Sequence, residues 1–261
     1  MLSLILFFNL TLGFVLGGGM RHFDVEMSAL QNHLLDMAGL VQEMIKTAMQ
    51  ELVERDPKQA DTVFSLEKEV NIQEIIIDDK CLKLIALNQP VSVDLRFITS
   101  AMRINSDLER MGDEAVNISE MALDLIKYPK IRSFIYIPKM VEVVQNMVID
   151  CIRAFNTSDS ELALSVLAKD DKVDDLKDKV LTNLKNLILK SSDINTIQRT
   201  VDLIFVTKSI ERLGDHATNI SEDVIFMVHG KDVRHPYSSH GVPVRSTSVL
   251  HSHARTTKLS S

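Results

Sequence analysis

The sequence predicts an all-α protein made of two tandem three-helix bundles. Apolar residues recur every three or four positions over long stretches, which is the spacing of one face of an α-helix. A segment of the chain occurs twice, about a hundred residues apart, and such self-similarity marks a duplicated structural unit. The six prolines fall at the expected helix junctions or in the C-terminal tail. Six long helices produced by an internal duplication therefore account for the chain.

The first predicted bundle occupies residues 20–130. Its first helix ends before Asp56-Pro57, a pair that favours the start of the next helix because Asp caps it and Pro suits its first turn. The second helix ends before Pro90 and the third before Pro129.

The second predicted bundle occupies residues 131–235 and repeats this plan. Pro138 stands at the start of the fourth helix, and Ser158 with Glu161 resembles a capping box for the fifth. Gly230 is a natural stop for the sixth helix.

Both ends of the chain differ from the helical region. Residues 1–19 form a hydrophobic leader without the basic start of a signal peptide, and they are short for a membrane span. A weak anchor, an atypical signal and sequence upstream of a true start at Met20 are the alternatives, and we favour the last. Residues 236–261 lose all periodicity and acidic residues, which predicts a disordered tail.

The composition narrows the classes of partner. A net charge of -7 disfavours nucleic acid and favours cations or basic surfaces. The two cysteines, Cys81 and Cys151, lie far apart within apolar helical patterns, so we expect reduced core residues of an intracellular protein.

The duplicated segment keeps its polar residues. ERMGDEAVNISE, Glu109 to Glu120, recurs as ERLGDHATNISE, Glu211 to Glu222, and nine of the twelve positions are identical. A repeat kept only for packing would retain apolar residues and let polar ones drift. Residues four apart lie on one stripe of a helix, so each copy aligns three oxygen-bearing side chains. They are Glu109, Asp113 and Asn117 in the first copy and Glu211, Asp215 and Asn219 in the second.

The preceding helix of each bundle supplies a second acidic set. Helices joined by a tight turn run antiparallel, so residues equally far from the turn lie at the same height. The facing residues are Glu67, Asn71 and Glu74 in the first bundle and Asp170, Asp174 and Asp178 in the second.

Carboxylates gathered at one level repel each other unless a cation or protons intervene. Oxygen ligands suit Mg²⁺, Ca²⁺, Mn²⁺ or iron, and Zn²⁺ is compatible with them. A single Glu-x-x-x-Asp spacing is common on solvated helix faces, and Arg110 and Arg212 could neutralise such a face. Because the spacing occurs twice, each time opposite a second acidic set, we favour metal binding.

Two mid-helix glycines accompany the motif. Gly112 and Gly214 each cost about 1 kcal/mol relative to Ala. Either tight helix packing or room for a bulky ion cluster would explain them.

Further segments accompany the repeated motif. They are CLKLIALNQPVSVDLRFI (Cys81 to Ile98), EKEVN and DDKVD in the second and fifth helices, and HGKDVRH after the sixth. Together with the motif they resemble the PhoU family of phosphate-signalling regulators, between Met20 and His235.

The resemblance implies two similar three-helix bundles whose paired acidic motifs hold iron or zinc clusters, or Mg²⁺ or Mn²⁺. Position 177 is Lys where the first bundle has Glu74, so equal occupancy of the two sites is in question. The implied metal residues are Glu67, Asn71, Glu74, Glu109, Asp113, Asn117, Asp170, Asp174, Glu211, Asp215 and Asn219.

The resemblance also implies a function without covalent chemistry. It is that of a cytoplasmic negative regulator of the phosphate regulon, which links the ATPase subunit of the phosphate ABC transporter to a membrane sensor histidine kinase. We expect a homodimer that associates peripherally with these membrane proteins.

Two other functions compete with this regulatory role. A carboxylate-bridged di-iron oxidase would use Glu-x-x-His ligands, but glycines stand three residues after Glu109 and Glu211. His216 follows Asp215 directly and therefore points some 100° from the ligand stripe, so we expect a surface histidine. A purely structural helical bundle is the third alternative.

Overall fold

The computed structural model describes residues 22–129 and 135–234. The hydrophobic leader and the tail from residue 236 lie outside these residues. Within them the chain forms helices only, which confirms the all-α prediction. The α-helices are α1 His22–Glu54, α2 Ala60–Asn88, α3 Ser92–Ile126, α4 Ile137–Thr157, α5 Ser160–Leu167, α6 Asp170–Lys190 and α7 Ile194–His229, and a single 3-10 turn spans Pro57–Gln59.

Local side chains set several helix ends. The Asp56 carboxylate accepts a hydrogen bond from the Lys58 backbone N–H at 3.1 Å, at the start of the 3-10 turn that leads into α2. Asp193 caps α7 in the same way through the Thr196 N–H at 3.0 Å. Gly230 ends α7 in the left-handed region with φ 68°, as its position in the sequence predicted.

The fifth predicted helix differs in two details. It is interrupted for two residues at 168–169, which separates α5 from α6. The Lys169 ammonium at this break binds Asp150 of α4 at 2.6 Å. The predicted capping by Ser158 is wrong, because Ser158 ends α4 in the left-handed region and Asp159 caps α5 by accepting from the Leu162 N–H at 2.9 Å.

The two bundles, α1–α3 and α4–α7, join through α3 and α7. These helices make the most extensive helix contact in the described part of the chain, and they run antiparallel. Arg103, in the first half of α3, pairs with Asp223 near the end of α7, and Arg199 near the start of α7 donates to the Pro129 carbonyl beyond the end of α3. Helices α2 and α6 flank this central pair, while α1 and α4 contact each other. An open cleft between α3 and α7 is lined by residues of both repeated motifs, among them Asp113 and Asp215.

The cores are aliphatic, and the bundles pack alike. Cys81 and Cys151 are free and buried, which agrees with the prediction of core residues, and burial raises the pKa of the Cys81 thiol to about 12. Among the described residues, no helix is both long and apolar enough to span a membrane.

Candidate metal centre

The first bundle brings its predicted acidic residues together between α2 and α3. The carboxylates of Glu67, Glu74, Glu109 and Asp113 lie close enough for their charges to affect one another. Asn71 stands among them, and its amide nitrogen donates to Glu67 Oε1 at 3.0 Å. The amide oxygen of Asn71 therefore adds a neutral oxygen donor to four carboxylates. We call these five residues the first acidic cluster.

Burial and mutual repulsion raise the pKa values in the first acidic cluster. Desolvation is the larger cause for Glu109, followed by the charges of Asp113 and Glu74. Burial likewise raises the pKa of Glu74, with the charges of Asp78 and Asp113 next. The pKa of Asp113 is raised by desolvation and by the charge of Glu67. Protonation or a bound cation would therefore relieve the repulsion among these carboxylates.

The second bundle places four carboxylates between α6 and α7. Asp170 and Asp174 lie on α6, and Glu211 and Asp215 lie on α7. Burial raises the pKa of Asp170, with further contributions from Asp174 and Asp215. Burial and then the charge of Glu211 raise the pKa of Asp215. We call these four residues the second acidic cluster.

A lysine enters the second acidic cluster. The Lys177 ammonium lies 2.6 Å from Asp174 Oδ1 and 2.7 Å from Glu211 Oε1. It lowers the pKa of Asp170 and of Asp215, opposing the carboxylates around them. The two clusters lie at equivalent places in their bundles. Within the described part of the chain, only the second contains a lysine whose charge offsets that of its carboxylates.

The two motif asparagines point to the interface between the bundles. Asn117 donates to Glu114 Oε2 at 3.3 Å on its own helix. Asn219 donates across the interface to Asp107 Oδ1 at 3.1 Å. Their side-chain nitrogens therefore bind carboxylates outside the two acidic clusters.

The expectation that His216 is a surface histidine is wrong. Its side chain is 14% exposed, and Nδ1 lies 2.8 Å from Asp107 Oδ1 of α3. The His216 side chain points away from the ligand stripe of α7. On that side α7 packs against α3 of the other bundle, so the imidazole lies at the interface. Arg212, expected to neutralise its own acidic stripe, instead donates to Glu114 Oε1 at 2.9 Å.

The interface carries a further buried ion pair that sequence reasoning missed. Arg103 Nε lies 2.7 Å from Asp223 Oδ1, and its guanidinium lies 5.0 Å from the centre of the Phe226 ring. The Asp223 side chain is only 4% exposed, and burial raises its pKa to about 6 although Arg103 opposes the shift. An available signal was the polar stripe of α7 on which Asp223 lies at helical spacing from Arg212, His216 and Asn219.

The donor sets decide which cluster fits a metal ion. No group of three or more His, Cys, Asp or Glu side chains among residues 22–129 and 135–234 converges on one point in the way that a bound ion requires. A metal would therefore bind only after carboxylates change rotamer. In the first acidic cluster the four carboxylates and one amide oxygen fit a hard cation. In the second acidic cluster an ammonium already bonds two of the four carboxylates.

The two bundles each match one copy of a known family. A model of the PhoU domain matches residues 34–122 and again residues 137–224. The phosphate-specific transport system accessory protein PhoU homolog of Pseudomonas putida is 37% identical over 216 residues, which cover 82% of this chain and 84% of that protein. The corresponding homolog of Aquifex aeolicus is 37% identical over 212 residues, covering 81% of this chain and 95% of its own.

Solved structures agree with this match. The crystal structure of PhoU from Pseudomonas aeruginosa superposes with a TM-score of 0.77 at 35% identity, covering 80% of this chain and all of that chain. The phosphate transport system regulatory protein PhoU from Streptococcus pneumoniae gives a TM-score of 0.73 at 26% identity, covering 81% and 99%. The family model and both solved structures match the two bundles in tandem, and the chain belongs to the PhoU family.

Proposed function

We propose that this protein is a regulatory accessory protein of a phosphate-specific transport system and that it performs no catalysis. The observation that carries the proposal is the match over both bundles to relatives named as accessory or regulatory proteins of phosphate transport. Such a role requires surfaces for partner proteins and no reacting groups. The competing di-iron oxidase gains no support, because glycines occupy the positions of the histidine ligands and the relatives are named as accessory proteins.

The finer part of the proposal concerns the direction of regulation and the partner proteins. When phosphate is plentiful, the protein represses the phosphate regulon and modulates phosphate uptake. It does so as a homodimer at the cytoplasmic face of the membrane, where it contacts the transporter ATPase subunit and the sensor histidine kinase. The family resemblance of the motifs supports this assignment.

Metal binding by the first acidic cluster is also part of the proposal. Glu67, Glu74, Glu109 and Asp113, with the amide oxygen of Asn71, would hold the ion, whether iron, zinc, Mg²⁺ or Mn²⁺. The ion would supply positive charge between α2 and α3 and fix these helices together. The proximity of these carboxylates supports this role, since the charges of Asp113 and Glu74 act on Glu109 and, among the described residues, no lysine or arginine forms an ion pair with Glu74, Glu109 or Asp113.

A deletion in the native host tests the regulatory role. We expect a phosphate-starvation reporter to become active in phosphate-rich medium and to be silenced again by the full chain supplied in trans. A reporter that stays silent in the deletion strain would reject the negative regulatory role.

A pair of variants tests whether the first acidic cluster takes part. Glu109→Gln with Asp113→Asn keeps side-chain size and removes two charges, and Asp79→Asn on the exposed side of α2 is the matched control. We expect the double variant to lose bound metal while remaining helical by circular dichroism. Metal content equal to that of the control would reject the ligand assignment.

A further inference from the structure

Lys177 occupies the position in the second bundle that Glu74 occupies in the first. Glu67 and Asp170 begin the two acidic sets, and Glu74 and Lys177 each follow seven residues later. Two helical turns bring both side chains to the same face and height of their helices. The substitution reverses the sign of one charge, and Asp174 stands where the first bundle has the neutral Asn71.

The lysine binds both helices that form the second acidic cluster. Its Nζ lies 2.6 Å from Asp174 Oδ1 on α6 and 2.7 Å from Glu211 Oε1 on α7. These are the distances of strong charge-assisted hydrogen bonds. The Lys177 side chain is 19% exposed and that of Glu211 is 27% exposed, so the α7 contact is partly shielded from solvent.

The first acidic cluster has no comparable contact. Among the described residues, no lysine or arginine forms an ion pair with Glu74, Glu109 or Asp113. Arg110 follows Glu109 in the sequence. Its charge lowers the pKa of Glu109, but this is the smallest of the effects on that pKa. The bundles thus solve the same electrostatic problem differently, since one contains its own cation and the other does not.

A metal ion in the second acidic cluster would compete directly with the lysine. Glu211 and Asp174 are two of its four carboxylates, and a divalent ion bound by them would lie at close range to a fixed positive charge. Coulomb repulsion at such a distance is large where solvent is partly excluded. The residues present therefore do not fit a metal.

We propose that the Lys177 ammonium is the built-in cation of the second acidic cluster, that it clamps α6 to α7, and that this protein binds metal in its first bundle only. The proposed number of metal sites rests on the proposed metal binding of the first acidic cluster. The clamp itself does not depend on that binding.

Charge exchange between the two positions tests the site assignment. Lys177→Glu gives the second bundle the carboxylate that the first bundle has at position 74, and Glu74→Lys makes the reciprocal change. The full chain of each variant is dialysed against Mn²⁺, bound manganese is counted by elemental analysis, and folding is checked by circular dichroism. Asp113→Asn and Asp215→Asn report which cluster holds the ion.

We expect the wild-type protein to lose its Mn²⁺ with Asp113→Asn and to keep it with Asp215→Asn. Lys177→Glu should gain Mn²⁺ that Asp215→Asn then removes, and Glu74→Lys should weaken binding by at least about tenfold. Wild-type Mn²⁺ that is lost with Asp215→Asn would overturn the proposal, as would a folded Lys177→Glu variant that gains none.

A measurement without metal tests the clamp. Lys177→Met keeps the length of the side chain and removes the charge, so we expect the melting temperature of the metal-free protein to fall by about 2–4 °C. The exposed Lys185→Met on the same helix is the control. If the wild type bound no Mn²⁺, the metal proposal for the first bundle would fail, and the clamp would stand or fall on this melting temperature. A Lys177→Met melting temperature equal to that of the wild type would overturn the proposed clamp.

Discussion

Replacing Gly112 by alanine should stabilise the protein, because the space for a methyl group is already present. A Cβ at position 112 would lie 3.5 Å from Val70 Cγ1 and 3.6 Å from Met44 Cε, which is ordinary van der Waals contact. The helix interior gains about 1 kcal/mol from Gly→Ala, and a buried methyl group adds up to about 0.8 kcal/mol. We therefore expect a gain of about 1–2 kcal/mol in the free energy of unfolding.

Gly214 supports the same reasoning in the second bundle. Its Cβ would lie 3.7 Å from Val173 Cγ1 and 3.8 Å from Val144 Cγ2. Gly214→Ala should give a similar gain, and the two gains should add because the sites lie in different bundles and share no contacting residue. At about 2–4 °C per kcal/mol for a chain of this size, each variant should raise the melting temperature by several degrees.

Thermal and urea unfolding followed by circular dichroism measure the effect. Gly39→Ala is the matched control, since position 39 is exposed on α1 and a Cβ there would meet nothing within 4 Å. It reports helix propensity without burial. A Gly112→Ala variant that is less stable than wild type would refute the reasoning.

The same variant separates the two explanations of the glycine. An added Cβ at position 112 meets α1 and α2 core atoms, none of which belongs to the first acidic cluster. Because these contacts are of ordinary length, tight helix packing does not require a glycine at position 112, and no atom of the first acidic cluster lies near enough for an ion cluster to require it. Gly112→Ala should bind as much metal as the wild type, and a loss of metal would restore the second explanation.

Three other changes give distinct expectations. Burial raises the pKa of Glu222 from 4.5 to about 7, so the folded state holds this proton more tightly and wild-type stability falls as pH rises through that window. Glu222→Gln should match the wild type near pH 4 and exceed it by about 1–3 kcal/mol at pH 8, measured by urea unfolding at each pH. Arg103→Met leaves the buried Asp223 carboxylate unpaired and should cost about 2–3 kcal/mol by urea unfolding at pH 8, and less near pH 4 where Asp223 is protonated. Gly230→Ala places a side chain at φ 68° and should lower the melting temperature by a few degrees, about 1 kcal/mol, while Gly230→Asn loses less.

The fold and the first acidic cluster followed from local rules of sequence. Helical periodicity set the helices, and equal distance from a tight turn placed Glu67 opposite Asp113. The structure shows this proximity, because the charge of Glu67 raises the pKa of Asp113. Both rules concern neighbouring helices within one bundle, for which the connecting turn fixes the register. The ligand role of these residues stays a prediction.

The contacts between bundles could not be predicted by the same rules. The linker between α3 and α4 does not fix how α3 meets α7, so nothing in the sequence indicated that Asp107 would receive His216 and Asn219. The start of α5 was misread for a different reason. Ser158 and Asp159 are both good capping residues, and the choice depends on the left-handed conformation at Ser158 that ends α4.

The duplication has left equivalent backbones with unequal charge in the two bundles. Val70 and Met44 pack against Gly112 as Val173 and Met147 pack against Gly214, which fixes the correspondence of the helices. By that correspondence Glu51 on α1 matches Ala154 on α4.

Glu51 shows that the inequality extends into the core. It is fully buried, its Oε2 accepts from Ser119 at 2.5 Å, and burial raises its pKa. Within residues 22–129 and 135–234, its Oε1 has no hydrogen-bond partner. Ala154 carries no charge at the matching position, and Lys177 compensates the second acidic cluster. Among the described residues no lysine or arginine forms an ion pair with Glu51 or with the first acidic cluster, whereas Lys177 pairs with two carboxylates of the second acidic cluster.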